Sequence, residues 1–469
     1  MPTATMPQPP AALPATAAAS AAQPTSNPLL TAPLLPTLLR FALPNMGAML
    51  ATALAAVAET AYVGSFGVSS LAGMALVFPL VMLQMMLSAG AMGGGVSSAV
   101  SRAFGAGDVA RASALAVHAL WIALVVGTLY MVLMLVFGPA LFALLGGRGE
   151  ALAQAVAFSN VAFLGSVCIW LVNTFASVIR GSGNMAVPSA TLLAVSAGQV
   201  LVGGAFGLGW GPFPRWGMQG VALGQVVAYA AGAAFLWFYL QSGRSRVTLR
   251  VRSTPLQGTL LRDILKVGGL ACISPLQTVL IILILTRLVS QFGTTALAGY
   301  GIGTRLEFLL VPIAFAIGVA SVPLVGMAIG AGKVARARRA AWVAAALATS
   351  LLAVLGLVLA VAPDVWTARF TRDPAVLASA ALYFRWAGPC YGLFGLGLCL
   401  YFSSLGAGKV GGPVLAGTLR LVMVVLGGSV LAAAQAPAWT IFALVAVAMA
   451  AYGLATALAV HITPWGVER

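Results

Sequence analysis

The chain has 469 residues, of which 61% are apolar and only 7% are charged. Because a water-soluble domain carries roughly 25% charged residues, this composition excludes an ordinary soluble fold. The net charge of +16 comes from 24 basic and 8 acidic residues, and the basic residues cluster in the breaks between apolar runs. That distribution is typical of the loops of a membrane protein and does not indicate nucleic-acid binding.

The N-terminal segment 1–36 is rich in Ala, Pro and Thr and carries no charged residue. This composition predicts a disordered tail. The segment also lacks the basic start of a cleaved signal peptide. A second, short tail is predicted at 463–469.

Twelve apolar runs follow, each long enough to cross a hydrocarbon core as an α-helix at about 1.5 Å per residue. They predict an all-α integral membrane protein. The runs fall at about 37–62, 69–101, 112–137, 152–179, 186–208, 218–240, 267–288, 296–325, 340–361, 375–402, 412–433 and 438–461.

The charges of the loops predict the orientation of these spans. With twelve spans both termini lie on one side, and the breaks on that side hold sixteen Arg and Lys residues against five on the other. Basic loops stay in the cytoplasm. We therefore expect both termini to be cytoplasmic in a multi-pass protein of the plasma membrane, the inner membrane in a bacterium.

The longest break, 241–266, separates two groups of six spans. Pro255 suits the first turn of a helix that starts after Ser253 or Thr254. In such a helix Leu256, Leu260, Ile264 and Leu265 share one face, which predicts a cytoplasmic linker with an interfacial helix.

Three motifs recur at an almost constant offset. FGVSSLAG (66–73) returns as FGTTALAG (292–299), FGAGDVARAS (104–113) as IGAGKVARAR (329–338), and RGSGNMAVP (180–188) as LGAGKVGGP (405–413). The chain is therefore predicted to form two six-helix bundles, 37–240 and 267–462, related by a pseudo-twofold axis along the membrane normal. Parallel repeats of this kind are a transporter architecture, with the substrate between the halves.

The first span contains the stretch AVAETAYVG, in which Glu59 is the only charged residue between Arg40 and Arg102. A carboxylate at bilayer depth is costly and usually faces a cavity. Asn45, Thr52 and Glu59 are spaced by seven residues, so they are predicted to form one polar stripe facing the bundle interior. When the two repeats are aligned, Thr278 matches Thr52 and Leu285 matches Glu59. A carboxylate at this position therefore belongs to the N-terminal half only.

The order and repeat spacing of these motifs, together with LVGMAIGAG, resemble the multidrug and toxic compound extrusion (MATE) family over about residues 36–462. The resemblance implies an efflux antiporter that exchanges protons or sodium ions for amphipathic, often cationic compounds. It also implies that Glu59 carries the coupling ion, in a place where the family usually has Asp. The resemblance further implies that Gln199 is the remnant of a polar pair that the family often has in its fifth span. With so few carboxylates a dehydrated sodium site is hard to assemble, which favours protons.

In the second half, Arg305 and Glu307 are both charged but lie two residues apart, so they point in different directions on a helix. We expect Glu307 either to pair with Arg385 or Arg420 or to attract a cationic substrate. Aromatic and thioether side chains that repack around varied ligands are candidates to line a binding pocket. They are Tyr62, Met82, Met85, Met86 and Phe308.

Two other functions remain open at this point. A lipid-linked oligosaccharide flippase needs a cationic central cavity, to which Arg305, Arg385 and Arg420 would contribute. An intramembrane enzyme needs a catalytic pair, and only Glu59 and Glu307 are acidic within the spans. No phosphate-binding loop is present, and the cysteines and histidines match no metal or disulfide pattern. We therefore expect a monomer without metal or cofactor, whose partners are the bilayer, the coupling ion and small molecules.

Overall fold

The computed structural model describes residues 28–466, and within that range all the regular elements are helices. Helices suit these runs because a helix satisfies every backbone polar group internally where water is absent. The N-terminal half contains α1 (Leu34–Gly64), α2 (Val68–Met85), α3 (Gly93–Gly105), α4 (Val109–Leu144), α5 (Gly149–Leu164), α6 (Ser166–Gly181), α7 (Ala186–Gly204) and α8 (Met218–Gln241).

The C-terminal half repeats this pattern. It contains α9 (Gly258–Ala271), α10 (Ile273–Ser290), α11 (Thr294–Gly330), α12 (Val334–Val361), the one-turn α13 (Asp364–Thr367), α14 (Pro374–Ala387), α15 (Tyr391–Ala407), α16 (Gly411–Ala433) and α17 (Ala438–Ile462). Eleven helices of the described chain are long and apolar enough to span a membrane, counting α2–α3, α9–α10 and α14–α15 as one span each. The bent pair α5–α6, with an angle of 46°, makes the twelfth. The predicted all-α fold with twelve spans is confirmed.

The repeated motifs are the turns between these helices. In the GAGD and GAGK turns Gly107 and Gly332 have φ of +79° and +74°, and in the later pair Gly183 and Gly408 have +90° and +71°. Backbone in this left-handed region favours glycine because it has no Cβ. Each motif thus recurs because each half needs the same turn at the same place.

The two halves pack tightly against each other at one end of the molecule. Residues 91–101 and 316–328 are continuously buried there, and Ser98 of α3 donates a hydrogen bond to the backbone carbonyl of Leu405. A Cβ added to Gly105 would lie 2.1 Å from the carbonyl oxygen of Met327. Such close approach through small residues is common between membrane helices.

Both ends of the described chain lie at this closed end, where the last residues of the predicted disordered segment 1–36 adopt regular structure. Pro28–Leu30 form a 3-10 turn, α1 starts at Leu34, and Arg336 donates to the carbonyl of Leu29 at 3.0 Å. At the other terminus Trp465 is buried under the guanidinium of Arg338, 5.8 Å from the ring centroid. The remainder of the predicted N-terminal tail, 1–27, lies outside the described residues.

The linker also differs from the prediction. No helix starts after Ser253 or Thr254. Instead α9 starts at Gly258 and runs, with a break at Cys272, into the seventh span. Within α9 the side chains of Leu260 and Ile264 are buried, whereas the predicted members Leu256 and Leu265 of the same face are exposed. The buried face of α9 differs from the predicted face because α9 packs against α3 and α4.

Candidate functional site

Glu59 lies in the buried interior of the N-terminal half. Its side chain is 5% exposed, and one carboxylate oxygen accepts a hydrogen bond of 2.7 Å from the amide of Gln199 on α7. Within residues 28–466 no Lys or Arg forms an ion pair with Glu59. The carboxyl group is therefore buried and held by an amide rather than by a cation.

The polar stripe of α1 is divided between two neighbouring helices. Thr52 contacts Ser196 of α7, with 3.3 Å between the hydroxyl oxygens, so Thr52 and Glu59 both face α7. Asn45 is fully buried but donates to the carbonyl of Ala316 on α11, at 3.3 Å. The prediction that all three residues form one stripe facing the interior of the N-terminal bundle is therefore wrong for Asn45, which faces α11 of the other half. Seven residues fall about 20° short of two full helical turns, so the direction drifts along the stripe, and α1 lies between α7 and α11.

Further polar groups in this half escaped the sequence prediction. Asn173 of α6 donates to Ser88 at 2.8 Å and approaches the sulfur of Met85 at 3.9 Å. Tyr229 approaches the same sulfur at 3.8 Å, so Met85 points into the N-terminal half. The sequence signal that could have identified Asn173 is its position as a lone amide in the apolar run WLVNTFA. Buried amides in a span are as informative as buried charges, because each needs a partner.

A cavity of about 340 Å³ lies mainly in the C-terminal half. It begins beyond the closed end and is lined by α2, α10, α11 and α14–α17. The predicted pocket residues Met82, Met86 and Phe308 line it. The π-helical segment Met86–Met92 follows α2 and contributes Met86, Gly90 and Ala91 to the lining of the cavity. Such π-bulges are frequent at functional sites.

Glu307 and Arg420 both line this cavity, but they form no ion pair, which was one of the alternatives expected for Glu307. One oxygen of Glu307 accepts hydrogen bonds from the phenols of Tyr383 and, at 3.4 Å, of Tyr391. The guanidinium of Arg420 instead lies over the ring of Phe394, 5.1 Å from its centroid. Among the described residues the one ion pair joins Arg111, near the start of α4, to Asp263 of α9.

Three other candidates lie apart from this cavity. Arg305 is exposed over the ring of Phe370 at 5.5 Å, so it diverges from Glu307 as its spacing predicts. Arg385 is also exposed and does not bond to Glu307. Tyr62 packs edge-on against Trp210, with ring centroids 5.7 Å apart. None of them lines the cavity in the described chain.

Twelve spans in two matching halves, with a buried carboxylate in one and a polar, aromatic cavity in the other, define a membrane transporter. The MatE family model matches residues 44–203 and again 271–429, more than half of the chain. The chain therefore belongs to the MatE family, the multidrug and toxic compound extrusion transporters, and is a transporter rather than an enzyme. The two matches confirm the internal repeat, because their offsets of 227 and 226 residues agree with the motif spacing.

Relatives of known name share about a quarter of their residues with this chain. The probable multidrug resistance protein NorM of Thermotoga maritima is 26% identical over 356 residues, 74% of each chain. An FAD transporter of Shewanella oneidensis is 24% identical over 372 residues, 78% of this chain and 81% of its own.

Solved structures show the same fold. A MOP superfamily transporter from Pyrococcus furiosus superposes with a TM-score of 0.85 at 21% sequence identity. The superposition covers 93% of this chain and 97% of the other.

Proposed function

We propose that this chain is a proton-coupled antiporter that exports amphipathic, often cationic compounds by alternating access, with Glu59 as the proton carrier. The observation that carries the proposal is the environment of Glu59, a buried carboxyl group with an amide partner and no cation. Low dielectric disfavours an unpaired anion. A carboxyl group in this setting can take up a proton from one side of the membrane and release it to the other.

The partners of Glu59 favour a proton over sodium. Gln199 meets the carboxylate through its amide nitrogen, a donor that cannot ligate a cation. Asn45 lies fourteen residues before Glu59 on α1, about 21 Å along the helix, so its amide oxygen cannot share an ion with that carboxylate. A dehydrated sodium ion needs several oxygen ligands, whereas a proton needs one carboxylate oxygen.

The arrangement of charges supports an orientation with both termini in the cytoplasm. The closed end carries both ends of the described chain and the linker, where most of the loop arginines and lysines lie. With that end in the cytoplasm of a bacterial cell, the cavity lies towards the outer side of the inner membrane. An exported compound leaves the transporter from this outward-facing state. The carboxyl group of Glu59 and the cavity both lie within one copy of the chain, so a monomer suffices for transport.

Export of an anionic dinucleotide is a second candidate, since one relative is named an FAD transporter. The observation that favours it is Arg420, whose guanidinium faces an aromatic cavity of the C-terminal half. The oligosaccharide flippase is less well supported, because Glu307 lines the same cavity and offsets the cationic charge that a pyrophosphate group requires.

Inverted membrane vesicles containing the protein test the proposal. An acidic lumen should drive uptake of ethidium, a fluorescent lipophilic cation, without sodium, and uptake should stop when a protonophore collapses the pH gradient. Uptake driven by a sodium gradient at equal pH on both sides would contradict proton coupling. Uptake of FAD but not of ethidium would favour the second candidate.

A further inference from the structure

We propose that Trp210 is a lid over Glu59, which controls the access of water to the carboxyl group. The lid belongs to the loop 210–217 between α7 and α8, at the end of the molecule opposite the closed end. The inference concerns the route by which water reaches the carboxyl group. It rests on the proposed function only in that a proton would use this route.

Trp210 packs against the same two helices that hold Glu59 and Gln199. Its ring meets Tyr62 of α1 edge-on, with the centroids 5.7 Å apart. It also lies directly against Gly204 of α7, where an added Cβ would be 2.4 Å from the Cη2 atom of the indole. The indole therefore fills the space between α1 and α7.

These contacts lie about one helical turn or more beyond the pair of Glu59 and Gln199. Tyr62 is three residues after Glu59 on α1, about 4.5 Å further along the axis. Gly204 is five residues after Gln199 on α7, about 7.5 Å further. Both helices start near the closed end, so the indole covers the carboxyl group from the opposite end.

The loop is attached on both sides of the space that the indole fills. The backbone N–H of Trp210 donates to the carbonyl of Ala205 at 3.0 Å, which holds the loop to the end of α7. The guanidinium of Arg215 lies over the ring of Phe66, 5.7 Å from its centroid, just after the end of α1. These two contacts hold the lid in the closed position.

The backbone beside Trp210 is suited to opening. Gly209 and Gly211 have φ of +77° and +66°, in the left-handed region that favours glycine. Lids move through a few backbone positions that absorb large changes in dihedral angle, often at small residues. The preceding segment Ala205–Gly209 is π-helical, a feature frequent at functional sites. The ring thus has a hinge on each side.

A tryptophan at this depth also suits a simple interfacial anchor, because such residues are enriched where a span meets water. Trp439, at the start of α17 in the other half, has this environment. It is 44% exposed, against 45% for Trp210, and it stacks on Trp386 with the centroids 5.6 Å apart. Trp439 is therefore the matched control for the lid.

Chemical labelling of the purified protein in lipid nanodiscs tests this inference. A water-soluble carbodiimide with glycine ethyl ester labels carboxyl groups that water reaches, and mass spectrometry of peptides gives the rate at each one. Glu59 should react at least about tenfold faster in Trp210→Ala than in the parent protein, because the reaction of a shielded group follows the population of its open state. Trp439→Ala should leave the rate at Glu59 unchanged. An unchanged rate in Trp210→Ala, or an equal rise in both variants, would overturn the proposal.

A second variant displaces the lid without removing its ring. The Cβ of Gly204→Ala cannot coexist with the present position of the indole, so labelling of Glu59 should again be faster. The double variant should react no faster than Trp210→Ala alone, because both changes act on one contact. A further rise in the double variant would contradict the lid.

Glu307 reports on general loosening, because it lies in the other half. Its labelling rate should match that of the parent protein in every variant, and an equal rise at Glu307 and Glu59 would contradict the lid. Labelling needs no gradient and does not depend on proton coupling. Faster labelling of Glu59 in Trp210→Ala, in a protein without proton-driven transport, would refute the proposed function alone. Proton-driven transport with unchanged labelling would refute this inference alone.

Discussion

At the scale of single residues, the N-terminal half contains one carboxylate, that of Glu59, at a position in a membrane span where an apolar side chain would cost less free energy to bury. Glu59 is buried, and Gln199 is the one described side chain that hydrogen-bonds to it. A group of this cost in a membrane is retained for a task. The proposed task is to carry a proton, and the hydrogen bond from Gln199 holds the carboxylate in place for it.

Removing that hydrogen bond tests the pairing. Gln199→Leu leaves the carboxylate without its amide donor, which costs about 1–3 kcal/mol for a buried polar group. We expect proton-driven ethidium transport to fall about tenfold at equal protein levels. The exposed Gln241, at the end of α8, gives the control Gln241→Leu. If both variants transport equally, Gln199 has no role in positioning Glu59.

The sequence predicted Glu59 because a charged residue in an apolar run is conspicuous on its own, whereas it indicated Gln199 only through the resemblance to the MATE family. It did not predict the partners of Glu307, since Tyr383 and Tyr391 lie about 80 residues further along the chain. Phenols are ordinary membrane residues, and nothing in their spacing marks them. Only packing of α11 against α14 and α15 brings them to the carboxylate.

At the scale of helices, glycine determines how closely the halves approach. An added Cβ at Gly105 would meet the backbone of Met327 at 2.1 Å, and backbone cannot move aside as a side chain can. Gly105→Ala should therefore destabilise the closed end by about 1–3 kcal/mol, seen as a lower Tm of the purified protein. Gly269 of α9 has nothing within 4 Å of such a Cβ. An equal Tm change for Gly269→Ala would show that close packing is not the cause.

The linker between the halves is attached to α4 by a buried histidine. The Nε2 atom of His118 accepts the backbone N–H of Gln257 at 2.8 Å, and its Nδ1 atom lies 2.7 Å from the carbonyl of Ala114. The ring is fully buried. A neutral ring with its proton on Nδ1 satisfies both contacts.

His118→Leu should free the start of α9, because the N–H of Gln257 loses its acceptor. Limited trypsin digestion should then cut faster between Arg244 and Arg252, where four arginines lie. His461, exposed near the end of α17, provides the control His461→Leu. Unchanged cleavage in the His118 variant would show that other contacts hold the linker.

At the scale of the whole molecule, the repeat predicted the architecture, and the differences between the halves were only partly predictable. Leu285, which the repeat aligns with Glu59, lines the cavity of the C-terminal half. The halves therefore share a fold but differ in chemistry, with the buried carboxyl group of Glu59 in one and a cavity lined by Glu307 and Arg420 in the other. Some residues of the cavity were predicted, such as Met82, Met86 and Phe308, but its place and its other walls were not, because residues from seven helices form it.

If Glu59 couples transport to protons, proton-driven ethidium uptake by the Glu59→Gln variant in inverted vesicles tests it most directly. Gln keeps the shape of the side chain but cannot exchange a proton, so uptake should be lost while the protein stays folded. Glu59→Asp should retain part of the activity. Glu150→Gln, which removes an exposed carboxylate at the start of α5, should transport at the parental rate. If Glu59→Gln also transports at the parental rate, Glu59 does not couple transport to protons.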